Sequence, residues 1–146
     1  MTGFDFLHAL DEARTPARGA EVYIEVGARP AQVAPVRVVA ADLAARADFD
    51  LDAVSDLRMA VDEACSTLAT LAPPGARLRC RIEVDLDRIT VTARITGPGS
   101  AVISRNTFGW RVLHTLTDKV EVLARDETET SSLGIRLIKE RRTGAA

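Results

Sequence analysis

Cysteine, histidine and aromatic residues are all scarce in this sequence of 146 residues, which holds two cysteines, two histidines, four phenylalanines, one tyrosine and one tryptophan. Cys65 falls in the apolar stripe of a helix pattern and Cys80 at an inward strand position. That placement fits two buried, reduced thiols in a cytosolic protein rather than a disulfide or a metal site. His8 and His114 lie far apart and neither has a Cys, His or acidic residue at ligand spacing, which argues against bound metal. No nucleophile signature of the GxSxG kind occurs. No run approaches the ~18 apolar residues of a membrane-spanning helix, and no basic stretch precedes an apolar one near Met1. The expected location is therefore the cytoplasm. Neither sign of charge dominates: 19 Lys and Arg face 21 Asp and Glu, for a formal charge of -2. Such a balance gives no case for a nucleic-acid or membrane partner. No internal repeat or linker is visible, and the length suits one domain able to bury about two-thirds of its unfolded surface.

What is present centres on one helix, expected from Asp52 to Leu71. Leu51, Val54, Leu57, Val61, Ala64, Cys65, Leu68 and Leu71 recur at spacings of three and four, with Asp52, Asp56, Asp62, Glu63 and Thr67 on or beside the opposite face. Asp50 is the expected N-cap, and Asp52 places a negative charge at the positive end of the helix dipole. Pro73, Pro74 and Gly75 close the other end. Glu63 sits among the small residues Ala60, Ala64 and Ser66, so another group could approach it closely. On the helix alone it reads as a solvated carboxylate.

The other segments follow from their periods. Residues 1–20 carry a short apolar patch (Phe4, Phe6, Leu7, Leu10) and then a polar run, either a docking helix or a mobile arm. Glu21 to Val26 is a first strand. Ala31 to Ala47 is a helix with Val33, Val36, Val39, Ala40, Leu43 and Ala47 inward and Arg37 on its flank, solvated on this evidence alone. Arg77 to Leu86 alternates with Leu78, Cys80, Ile82, Val84 and Leu86 inward, turns at Asp87 and Arg88, and returns as Ile89 to Thr96. The outward arginines are interleaved with acids and lack aromatic neighbours, so they read as a wet sheet face rather than a base-stacking surface. A glycine loop from Thr96 to Asn106 leads to a short helix, Thr107 to Asp118, with Trp110, Leu113 and Leu116 inward. Two strands follow, Lys119 to Ala124 and Leu133 to Lys139. The fold class is α+β, a two-layer sandwich of a mostly antiparallel sheet with helices on one face, comprising residues 21–141 between the arm and a tail at 142–146.

This order of elements, from Glu21 to Arg141, resembles the RsbW-type anti-sigma factors and serine kinases of the Bergerat-fold ATPase superfamily, shared with histidine kinases, gyrase and Hsp90. It looks nearest to the actinobacterial anti-sigma F factors. The segment DEACSTL, Asp62 to Leu68, is similar to the family's SEAVTNA, which places Glu63 on the family's general-base glutamate. Thr67 then stands on its magnesium-holding asparagine. In ITGPG, where the family has DxGxG, Gly97 and Gly99 are kept but Ile95 replaces the acid that hydrogen-bonds adenine. The segment TFGWRVL resembles the glycine-rich lid motif: Gly109 is kept and Thr107 stands at its first glycine. LTDKVEV, with Asp118 and Val120, and the strand IRLIK also resemble the family. Its GTT, which touches the nucleotide, is matched by Ser132, Leu133 and Gly134.

The resemblance implies a protein that sequesters an alternative sigma factor and is relieved by a STAS-type anti-anti-sigma factor. It implies a homodimer paired through the first strand and helix, with Arg37 at the partner interface. Since scaffold positions agree and nucleotide positions mostly do not, no cofactor is expected, with ATP and magnesium bound only if the pocket still works. The alternative within the family is an active serine kinase that phosphorylates its antagonist with Glu63 as base. Outside it stands an unrelated α+β interaction domain.

Overall fold

The computed structural model describes residues 19–97, 101–125 and 132–142. Five strands form one sheet: β1 (Glu21–Gly27), β2 (Arg77–Val84), β3 (Arg88–Thr96), β4 (Lys119–Arg125) and β5 (Ser132–Glu140), in the order β1-β2-β3-β5-β4 with every neighbouring pair antiparallel. Between β1 and β2 the chain makes a 3-10 turn (Pro30–Gln32) and two helices, α1 (Ala34–Arg46) and α2 (Leu51–Leu71); α3 (Phe108–Leu116) joins β3 to β4. The α+β sandwich and antiparallel sheet agree with the reading of the sequence.

Alternation along the strands decides which side is covered. Leu78, Cys80, Ile82 and Val84 of β2, Ile89, Val91, Ala93 and Ile95 of β3, and Leu133, Ile135 and Leu137 of β5 are all buried against the helix layer. Each large aliphatic side chain withdrawn from water in this way stabilises the fold by about 1.5–3 kcal/mol. Helix α2 lies across the middle of that layer and α1 packs beside it. The Asp50 side chain accepts from Ala53 N at 2.7 Å, so the expected cap is in place.

Several boundaries and faces differ from expectation. Helix α2 starts at Leu51, and Leu51 itself is 87 % exposed. It stands six residues before Leu57 and is therefore rotated about 120° from the sheet-facing line. Ala53, Ala60 and Ala69 are buried, while Val54 and Leu71 are only half-buried. The preceding segment is a 3-10 turn followed by a helix from Ala34, because the Pro30 and Pro35 rings break one continuous spiral into two starts. Strand β2 ends at Val84, so Leu86 sits exposed in the hairpin turn rather than inward. Helix α3 begins one residue after Thr107 and ends at Leu116; Leu113 is buried and Trp110 and Leu116 are half-buried. Pairing also begins before β1: Gly19 N donates to Val84 O at 2.5 Å, and Val84 N to Ala20 O at 2.8 Å. The expected arm at 1–18, the loop residues 98–100 including Gly99, the turn at 126–131 and the tail residues 143–146 lie outside the described residues.

Candidate functional site

The site residues named from the sequence gather along α2 and the strand ends beside it. Glu63 lies six residues after Leu57, again about 120° off the sheet-facing line, which is why periodicity alone assigns it to solvent. Helix α3 covers that flank. A Cβ built on Gly109 would overlap Glu63 Oε1 and stand 2.9 Å from Glu63 Cδ, so the bare glycine backbone is what lets α3 lie against the carboxylate. Glu63 is half-buried as a result.

Thr107 precedes this contact as the N-cap of α3, its hydroxyl accepting from Trp110 N at 3.1 Å. A threonine there satisfies an orphan amide of the first turn. One turn beyond Glu63, half-buried Thr67 presents its carbonyl to the Thr70 hydroxyl at 2.7 Å. Ile95 is fully buried on β3, paired with Leu78 on one side and Leu133 on the other. Leu133 is 3 % exposed. Gly97 follows with φ +74, and a Cβ there would meet Pro73 Cγ at 3.6 Å, at the C-terminal end of α2. Glu63 and Gly109 thus meet directly and Ile95 and Leu133 meet directly, with Thr67 one turn along α2 from Glu63 and Gly97 beside Pro73, just past the end of that helix.

Arg37 stands apart from that line. Its Nη1 contacts Asp62 Oδ1 at 2.7 Å, joining α1 to the flank of α2 next to Glu63, with the two side chains 34 % and 44 % exposed. A pair this open contributes up to about 1 kcal/mol. Asp62 was not legible as its partner, since 25 residues separate them and no local spacing links them.

A second residue missed by the motifs is Lys139. Its Nζ donates to Asp56 Oδ2 at 3.3 Å and to Leu116 O at 2.9 Å, so one buried cation ties β5 to α2 and to the last turn of α3. Strand alternation places it inward with Leu133, Ile135 and Leu137, which is the signal that could have found it.

Cys65 and Cys80 are buried with their sulfurs 3.9 Å apart. The hydrogen bond between them and then burial push the Cys65 thiol well above its usual range, which keeps it protonated and inert. Among the described residues no group of three His, Cys, Asp or Glu could hold a metal ion, and no helix is long and apolar enough to cross a membrane.

Residues 26–139 match the histidine kinase-like ATPase domain, and the chain belongs to that family. It is further similar to two proteins named anti-sigma-F factor RsbW, from Mycobacterium tuberculosis strains CDC 1551 / Oshkosh and ATCC 25618 / H37Rv. Identity to each is 36% over 100 residues, 68% of this chain and 60% of theirs. The match therefore spans less than two-thirds of the length of those relatives.

Proposed function

We propose that this chain is an anti-sigma factor that holds an alternative sigma factor of the stress or sigma F type stoichiometrically, without turning over ATP. Release comes from a STAS-domain anti-anti-sigma factor competing for an overlapping surface. The setting is the cytoplasm, and the active form is a homodimer paired through edge strand β1 and the helix after it. Similarity to the two mycobacterial anti-sigma-F factors supports the sigma partner.

The observation that carries the absence of turnover is Ile95. Adenine recognition in the family's manner needs a carboxylate there, and a fully buried isoleucine between Leu78 and Leu133 offers no acceptor. An adenine amino group left unpaired costs about 1 to 3 kcal/mol, roughly one to two decades in affinity. Thr67 supplies a neutral hydroxyl where the family's asparagine offers magnesium a carbonyl oxygen, the stronger donor. These residues do not fit Mg-ATP. Arg37, held by Asp62 and one-third exposed, is the pre-set partner contact.

The serine-kinase reading draws its support from Glu63, which the resemblance aligns with the family's general base and which is half-buried. Calorimetric titration with candidate sigma factors, without nucleotide and then with Mg-ATP, separates the two. Tight binding that ignores ATP is the expected result. A low-micromolar dissociation constant for Mg-ATP, or sigma binding that appears only with it, would overturn the clamp.

A further inference from the structure

One end of the molecule leaves leucine in water where the chain enters the fold. Gly19 and Ala20 pair with Val84, the last residue of β2, so the residues that precede them join the fold beside the β2–β3 turn. Gly19 lines an open recess of about 550 Å³ there, together with Asp85, Leu86 and Asp87. Leu86 keeps the parity of Leu78, Cys80, Ile82 and Val84, which face the helix layer. Strand β2 has ended before it, however, and 59 % of its surface stays exposed.

The helix layer ends at the same place. Arg141, one residue past β5, donates from Nε to Leu86 O at 2.9 Å, from Nη1 to Asp48 O at 3.0 Å and from Nη2 to Ala47 O. Its guanidinium also lies 4.3 Å from the ring centroid of Phe49. One side chain thus fixes the hairpin turn against the link between α1 and α2. Three residues beyond Asp48, at the first position of α2, stands the exposed Leu51. Two large aliphatic side chains are therefore open to water at one end of the fold, where covering them is favourable.

We propose that the apolar segment of this chain's own N-terminus, residues 4–10, docks on this end and covers Leu51 and Leu86. The contact is independent of the sigma-factor reading. Continuity of the chain selects the occupant: the segment carries Phe4, Phe6, Leu7 and Leu10, and its chain enters at the recess that Leu86 lines. The link between, Asp11 to Arg18, reaches at most about 28 Å when extended, enough to turn back over a patch whose two halves meet at one guanidinium. Charge agrees with this placement. The link brings Arg14 and Arg18 toward Asp85 and Asp87, of which Asp87 has Arg88 at 3.6 Å while Asp85 has no cationic partner among the described residues. Tethering gives the segment an effective concentration on the order of millimolar at the patch, which a separate protein would have to outcompete.

The test is NMR of the full chain carrying labelled leucine methyls and phenylalanine rings. Leu51→Ala and Leu86→Ala assign the two methyl resonances, and both leucines are exposed enough for the fold to survive. The expected result is a nuclear Overhauser cross-peak from the Leu51 or Leu86 methyls to the ring of Phe4 or Phe6. Those cross-peaks should disappear when Phe4→Ser and Phe6→Ser are combined, while the methyls of the fully buried Leu57 and Leu68 keep their positions and so verify the fold. No cross-peak from either leucine to Phe4 or Phe6, or cross-peaks that survive the two substitutions, would overturn the proposal. So would cross-peaks that arise only between separately labelled copies in a mixed sample, which would put a second copy on the patch.

Discussion

Replacing Gly109 by alanine puts a methyl group into the space held by the Glu63 carboxylate, and the structure predicts an effect whose sign depends on residue 63. In a background of Glu63→Ala, Gly109→Ala meets no carboxylate and gains the ordinary advantage of alanine over glycine in a helix, about 0.5–1 kcal/mol. With Glu63 present, the new Cβ overlaps Oε1 and approaches Cδ to 2.9 Å. The carboxylate then leaves its rotamer at a cost of about 0.5–1.5 kcal/mol, or α3 moves away and loses packing. The gain is cancelled or reversed. The two substitutions should therefore couple by about 1 kcal/mol or more in a double-mutant cycle read by urea unfolding of four proteins. Additivity within about 0.3 kcal/mol would refute the reasoning, because it would mean that α3 does not rest on Glu63.

Lys139→Ala removes the buried cation that joins Asp56 to Leu116 O, and unfolding should show a loss of about 1–3 kcal/mol; a change within experimental error would mean that the pairing is absent in solution. Thr107→Ala deletes the cap of α3 and should cost about 1 kcal/mol, whereas Thr107→Gly should cost only a few tenths, a difference visible in paired thermal melts. Hydrogen bonds from Arg79 and Arg77 hold the Glu25 carboxyl below its usual range, and those from Tyr23 and Arg81 do the same for Glu21. A depressed folded value means that their contribution is present above the ordinary value of 4.5 and is lost as pH falls below it. Carboxyl titration by NMR should place both midpoints under that of the unfolded chain, and midpoints at or above it would rule out the cross-strand pairs.

The motifs that point to the family are short and local, and each records a backbone requirement. Asp50 and the Pro73-Pro74-Gly75 stop act within one helical turn, and the strands announce themselves by a period of two, so the elements and the covered face of the sheet were legible. The helix stripe was less so. Leu51 falls in the apolar stripe because it lies three residues from Val54, yet burial depends on where the sheet sits under the helix, and the sheet faces Ala53, Leu57 and Ala60.

By itself the sequence determined the order of elements, the Asp50 cap and the Pro73-Pro74-Gly75 break, and the inward set on β2 and β3. Only the tertiary structure decided which distant groups meet: Gly109 on Glu63, Ile95 between Leu78 and Leu133, Arg37 on Asp62, Lys139 on Asp56 and Leu116 O, and Arg79 opposite Arg94. Caps and alternation are interactions among residues a few positions apart. The contacts that give Glu63, Lys139 and the arginine face their surroundings join segments from 15 to 83 residues apart, and they exist only once the sheet register and helix packing are set.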